Sequence, residues 1–330
     1  MGIRLLDFAL RDGVHFGEKG IGLEAASPGL ASDGFASALI SAAARSGGEP
    51  DDLIAAFEGD LRVSGLFPRI GERRFVPRPQ VLPDIEGAAP PKSLKRLAFV
   101  DTETYERWYI KEELADQPTV DRLSAALHSV YREYLTARVA LTRTTQESDF
   151  YQMSAYRFTT VGGARAGLYA VIDCTDEQRS LIERSLAALA VYGIGGKRSS
   201  GYGAFEWSWS EGEAPRAFER PKTDGTPVML LSTVVPAEAD DLAAIASRGA
   251  YRIVEVRGWV TSAGVVSRRR RSLRALAQGS VLPFEPRGRV VDCAPVDFSS
   301  HPVVRVTTGL GIAFSKRLLD ASRGQREGGR

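Results

Sequence analysis

Apolar and polar residues alternate along the chain in short blocks that predict many strands and a few amphipathic helices. Residues 3–10, IRLLDFAL, are nearly all apolar, the pattern of a strand covered on both faces. They run into RDGVHFGEKGIG, a glycine-punctuated loop, after which Ser32 or Asp33 can cap a helix through FASALISAAARSGG that stops at Gly47. Asp51 and Asp52 open a second short helix, DDLIAAFEG. The prolines of LRVSGLFPRIGERRFVPRPQVLPDIEGAAPPK predict a strand followed by an irregular excursion, because proline cannot donate to a ladder. Residues 101–135 return to helix and loop. Three strand patterns follow: YLTARVALTR, YQMSAYRFTT and AGLYAVIDC. The tetrapeptide TDEQ at 175–178 has capping-box spacing, and Ile182, Leu186, Leu189 and Ala190 give the next helix one apolar face, ending at Gly193. In AFEWSWS, Phe205, Trp207 and Trp209 alternate with Glu206, Ser208 and Ser210, so the strand is half-buried and both indoles belong to its core face.

A polar stretch from Glu211 to Thr226, with two prolines and two glycines, separates this block from a second one built alike. VMLLSTVV reads as strand, AEADDLAAIAS as helix and YRIVEVRGWV as strand, with shorter strands around SVLPFE, RVVDCA and VVRVTTGLGIAF. Two βαβ-like blocks with strands outnumbering helices predict an α+β chain of two tandem ferredoxin-like (RRM-like) modules with inserted loops and a hairpin. The expected boundaries are a first module over 1–212, a linker over 213–226, a second module over 227–320 and a disordered tail over 321–330.

Composition adds limits. At 330 residues, 43% hydrophobic and 25% charged, the chain can bury a sizeable core, and no run approaches the ~18 apolar residues of a membrane span. Early charges at Arg4, Asp7, Arg11 and Asp12 leave no signal-peptide core, so a cytoplasmic protein without membrane association is expected. Cys174 and Cys293 lack CxxC spacing, and only His15, His128 and His301 could join them; neither a metal site, a cofactor nor a disulfide framework is expected. The net charge of +2 predicts no polyanion partner by itself, yet 36 of the 43 basic residues are arginine, whose planar fork suits phosphates and stacks on bases. Genomic base composition accounts for such a bias equally well. The densest cluster, SRRRRSLRALAQG at 267–279, reads either as a phosphate track, as a solvated loop or as a subunit contact.

The stretch GIGGKRSSGYG at 193–203 places five glycines among cationic and hydroxyl residues. It is not a Walker loop, since that pattern needs glycine at 191 and serine or threonine at 198, where Val191 and Arg198 stand. Nor is it a dinucleotide fingerprint, because it follows a helix instead of opening one. What remains suits single-stranded RNA: backbone amides freed by glycine, charge from Lys197 and Arg198, short donors from Ser199 and Ser200, and a stacking ring from Tyr202. A helix cap and a close strand approach explain the glycines just as well.

Those residues carry a further likeness. GIGGKRSSGYGAF resembles the C-terminal glycine-rich loop of the RAMP superfamily of CRISPR proteins. VHFGEKGIGLEAASPGLASDGFASALI (14–40), ARVALTRTTQESDFYQMSAYRF (137–158) and HPVVRV (301–306) are similar to segments of one branch, subunit four of the Csm complex of type III-A systems. The resemblance implies ferredoxin-like folds and a non-catalytic cap that holds the 5′ repeat-derived handle of CRISPR RNA and docks the large polymerase-nuclease subunit beside backbone RAMP subunits. It places His15, Phe16, Gly17 and Lys19 in a first RNA-facing loop, Gly195, Gly196, Lys197, Arg198, Ser199, Ser200, Gly201 and Tyr202 in a second, and Arg143 on a hairpin strand as a phosphate contact. Two rivals go with it. One is a metal-independent RAMP endonuclease with His15 as base, for which the loop offers no orienting partner in sequence beyond Glu18 and Lys19. The other is the equivalent cap of a type III-B complex. Asp33 is expected to cap its helix, not to cleave RNA.

Overall fold

A computed structural model describes residues 2–17, 23–85, 92–141, 148–221, 225–260 and 267–327. The expected sites Lys19 and Arg143 lie outside the described residues. The first module is built on β1 (Gly2–Leu10), α1 (Ser32–Arg45), α2 (Pro50–Glu58), β2 (Phe67–Ile70), β3 (Arg73–Pro77) and β4 (Phe99–Asp101). After them come α3 (Gln117–Val130), the long strands β5 (Tyr131–Leu141) and β6 (Ser148–Phe158), β7 (Ala164–Cys174), α4 (Asp176–Tyr192) and β8 (Phe205–Trp209). Its sheet has the order β8-β1-β7-β2-β3-β4, whose first four strands are antiparallel in the ferredoxin-like arrangement, with β3 and β4 added at the edge.

The buried run of β1 is explained by what lies on each face. Leu6, Phe8 and Leu10 join Leu168, Ala170 and Ile172 of β7 under α1 and α4, among Phe35, Leu39, Ile182 and Leu186. Leu5 points the other way with Tyr169 and Val171, into a second core that α3 shares with Met229, Leu231, Ile312 and Phe314 of the second module. Burying both faces of the sheet joins the modules through one continuous apolar layer.

Local signals set several boundaries. Thr175 and Gln178 form the capping box reciprocally, each side chain bonding the other's backbone amide, at 3.2 and 3.0 Å. At α1 the expectation fails. The N-cap is Ala31, without a side-chain cap; Ser32 Oγ instead accepts from the Thr233 amide (2.8 Å), and Asp33 Oδ2 pairs with Arg305 (3.1 Å). Both cap candidates are used to clasp the second module to the first.

The second module is a reduced version of the first. Its centre is β9 (Val228–Leu230), flanked by strands at Val281–Leu282 and Gly311–Ala313, with one short helix, α5 (Leu242–Arg248), capped by Asp241. Strands β10 (Ile253–Val256), β11 (Trp259–Val260), β12 (Arg268–Arg269) and β13 (Leu273–Leu276) form a two-stranded ribbon. Then come β14 (Val281–Leu282), the pair β15 (Gly288–Asp292) and β16 (Val304–Thr308), and β17 (Gly311–Ala313). The expected linker packs closely: Phe218 is buried against Tyr169, and Arg220 bridges Asp173 (2.8 Å) and Glu285 (2.6 Å) across the two modules. The tail also differs from the expected disorder. Helix α6 (Lys316–Glu327) includes residues 321–327, because Leu318 and Leu319 anchor its first turn in the shared core. No helix among the described residues is long and apolar enough to cross a membrane.

Candidate nucleic-acid interface

The two loops singled out in the sequence meet at one end of the first sheet. β1 and β8 are paired neighbours up to Leu10 and Phe205, so the chain leaving β1 and the chain entering β8 emerge side by side. They stay laced by backbone bonds: Arg11 N to Ala204 O (3.0 Å), Gly203 N to Gly13 O (2.9 Å) and Gly196 N to His15 O (2.9 Å). This contact explains Gly195 and Gly196, and the folding of the second loop on itself explains Gly203. At Gly195, φ is +89°, and a Cβ would stand 2.8 Å from the His15 carbonyl oxygen and 3.0 Å from the Phe16 ring. At Gly203, φ is +80°, and a Cβ would stand 1.9 Å from the Ile194 carbonyl oxygen.

The lacing changes one sequence expectation. The amides of Gly193, Gly196, Ser200, Gly201 and Gly203 donate to protein carbonyls instead of being freed for a ligand. What faces solvent is the tip: Gly17 on the first loop, and Ser199, Ser200 and Gly201 on the second. His15 and Phe16 are buried behind it. His15 Nδ1 lies 2.7 Å from the Ser154 carbonyl oxygen, which can only accept, so Nδ1 carries a proton, while Nε2 lies near Gly17.

Ser154 belongs to the β5–β6 hairpin, paired over eleven residues from Tyr131↔Phe158 to Leu141↔Ser148. The hairpin stands beside both loops, held by the Val14–Tyr156 bridge and by Ser154 N donating to Leu23 O (2.8 Å). One of its faces turns toward the glycine loop. Lys197 Nζ lies 3.3 Å from Tyr151 Oη and 4.9 Å from the ring centroid, and Arg138 donates to Tyr202 Oη (3.3 Å) with its guanidinium 5.8 Å from that ring. Burial and a bond to Tyr202 push the Tyr134 phenol up to about 12. Tyr202 itself is held below its ordinary value, because bonds from Arg138, Tyr134 and Thr136 outweigh the opposing effect of burial. Arg198 is pushed down by burial and by Arg45 nearby.

Lys197 and Arg138 lean on phenols, and neither pairs with a carboxylate among the described residues, so their charge is not neutralised by these residues, and rings lie between them. Phosphate and base recognition need that mixture. Tyr134, Arg138 and Tyr151 were not among the residues marked in the sequence. The signal was present in the period of two along β5, which puts Tyr134, Thr136 and Arg138 on one face with Tyr151 opposite Arg138. The other face carries Leu135, Val139 and Phe150, each more than half exposed. At the hairpin's base, an open cleft of about 620 Å³ is lined by Arg96, His128, Tyr131, Glu133 and Tyr156.

Comparison with known proteins assigns kinship to this arrangement. Residues 54–206 match the model of the RAMP superfamily, and residues 223–314 match the CRISPR Csm4 C-terminal domain. Among curated proteins, the CRISPR system Csm4 protein of Mycobacterium tuberculosis H37Rv is 28% identical, over 95% of this chain and 98% of that protein. The Csm4 protein of Streptococcus thermophilus is 25% identical over 86% and 90%. Among solved structures, the fold is shared with a Csm3–Csm4 subcomplex of a type III-A CRISPR-Cas interference complex (TM-score 0.62, 15% identity, 94% and 99% covered). It is shared as well with a Csm1–Csm4 cassette bound to pppApA (TM-score 0.60, 16% identity, 95% and 98% covered).

Proposed function

Since the chain belongs to the RAMP superfamily, and within it to the Csm4 family of CRISPR proteins, we propose that it is the non-catalytic subunit that caps the 5′ repeat-derived handle of CRISPR RNA in an antiviral type III-A complex. One observation carries the reading: two loops laced backbone to backbone beside a tyrosine- and arginine-bearing hairpin face gather Lys197, Arg138, Tyr151 and Tyr202 at one surface, with Arg198 next along the loop. Phosphates would meet the cations and the exposed Ser199 and Ser200 hydroxyls, while splayed bases stack on the tyrosines. Buried His15 and Phe16 shape the first loop from behind. The solved relatives that hold Csm4 with Csm3 and with Csm1 support contacts to a backbone RAMP subunit and to the large subunit. We assign the exposed apolar face of Leu135, Val139 and Phe150 to one of these neighbours.

The endonuclease rival fits less well. The His15 imidazole is buried, its Nδ1 is tied to a carbonyl, and no carboxylate among the described residues orients it. Incubation of the purified protein with repeat RNA in EDTA separates the readings: binding without cleavage supports the cap, and cleavage lost in His15→Ala refutes it. For the cap itself, Lys197→Ala with Arg198→Ala should lower the slope of log affinity against log salt by ~1.4, at ~0.7 per phosphate contact with a single strand. Handle affinity and slope equal to wild type would remove the glycine loop from the site.

A further inference from the structure

The arginine run at 268–271 lies on the second module and takes no part in the two-loop surface. It sits on the ribbon, whose register continues from Glu255↔Arg274 to Trp259↔Arg269 through a bond from Arg270 N to Gly258 O (3.0 Å). Within it, Arg257, Arg268, Arg269, Arg271 and Arg274 are exposed, and the carboxylates that pair with them are few. Glu255 holds Arg257 (2.5 Å) and lies opposite Arg274, and Asp292 holds Arg271 (3.1 Å). Arg268 and Arg269 make no ion pair among the described residues. Arg269 instead stacks over Trp259, 5.3 Å from its centroid, and the indole keeps 49% of its surface in solvent. Arg270 differs from the rest: it is packed against Gly258 and donates to the Arg257 carbonyl (3.4 Å), so it belongs to the ribbon's frame.

An exposed indole costs hydration free energy, and guanidinium groups that outnumber their carboxylate partners repel one another, so a partner of opposite charge with flat apolar faces relieves both. We propose that this ribbon face is a second contact for single-stranded RNA, separate from the glycine loop, in which Trp259 stacks a base and Arg269, its cross-strand partner, holds a flanking phosphate. The strand geometry suits the task, since side chains on one face recur every ~6.8 Å along a line. An acidic protein surface would satisfy the charges but would leave the indole without a planar partner.

The proposal is tested by fluorescence anisotropy of the full chain with a labelled uridine 20-mer, which carries no repeat sequence, titrated from 50 to 200 mM salt. Arg269→Ala should lower the log–log salt slope by ~0.7, and Arg268→Ala, on the other face of the ribbon, should leave it unchanged. Trp259→Ala should weaken binding at least ~fivefold, with Trp259→Phe recovering most of it. These losses should persist when Lys197 and Arg198 are also alanine, which separates this site from the first loop surface. The altered side chains are exposed, and if Trp259→Ala fails to fold, Arg269→Ala and Trp259→Phe still decide. Unchanged RNA affinity and slope in all these variants overturns the proposal. So does wild-type RNA binding combined with lost capture of a partner subunit, which would make the ribbon a protein interface.

Discussion

Gly195 and Gly201 provide a matched pair for asking whether the glycine stretch exists to dock two loops. Both have left-handed backbones, φ +89° and +86°, so alanine at either carries the same conformational cost of ~1–2 kcal/mol. Their surroundings differ. A Cβ at Gly201 meets nothing within 4 Å, whereas one at Gly195 stands 2.8 Å from the His15 carbonyl oxygen and 3.0 and 3.1 Å from Phe16 ring atoms. Neither neighbour yields readily: the carbonyl already accepts from Gly196 N, and the ring is buried in the core. Overpacking of this kind adds ~1–3 kcal/mol. Gly201→Ala should therefore destabilise by ~1–2 kcal/mol and Gly195→Ala by ~2–5 kcal/mol, read from urea midpoints at an unchanged m-value. In handle binding, Gly195→Ala should reproduce the loss seen with Lys197 and Arg198 both alanine, because the second loop is pushed off the first, while Gly201→Ala keeps wild-type affinity. Equal stability costs, or equal affinities, would refute the claim that loop docking builds the surface.

Two further outcomes test the frame around the site. Arg305→Met removes contacts to the Asp33 carboxylate (3.1 Å), the Asp33 carbonyl (2.9 Å) and Ser37 Oγ (2.9 Å), and should destabilise by ~3–5 kcal/mol in urea unfolding. Adding Asp33→Asn should cost less than the sum of the two single changes, since the stranded charge is then gone. Asp101 caps the residues after β4 through Thr104 N (2.9 Å) and binds Arg73 (2.7 Å); burial opposes its ionisation, but these bonds win and hold its carboxyl below the usual range. A lowered folded pKa means its stabilisation is complete above the unfolded value of ~3.9 and disappears as pH falls through the folded value. Asp101→Asn should flatten that part of the acid unfolding profile.

How much was legible in the sequence differs from element to element. The capping box of Thr175 and Gln178, the alternation of Phe205, Trp207 and Trp209, and the doubly buried run at 3–10 were all readable because each is set by near neighbours in the chain. Ser32 and Asp33 were misread as caps because their partners, Thr233 and Arg305, stand 201 and 272 residues away. Disorder is expected of the tail from its polar composition, whereas its helix starts at Lys316, where Leu318 and Leu319 dock.

For the site, the sequence by itself determined the ingredients: a glycine-rich turn between helix and strand, its cations and its tyrosine, and a first loop around His15. Local composition specifies turn chemistry and charge, and these do not depend on what packs alongside. Only the tertiary structure decided that the glycines serve to lace two loops together, that His15 and Phe16 lie behind the surface, and that Tyr134, Arg138 and Tyr151 complete it. Those facts depend on β1 and β8 being neighbours across almost 200 residues and on the hairpin register. The first is set by backbone pairing between distant segments, which no local pattern encodes; the second follows from a legible period of two only once the register sets Tyr151 opposite Arg138.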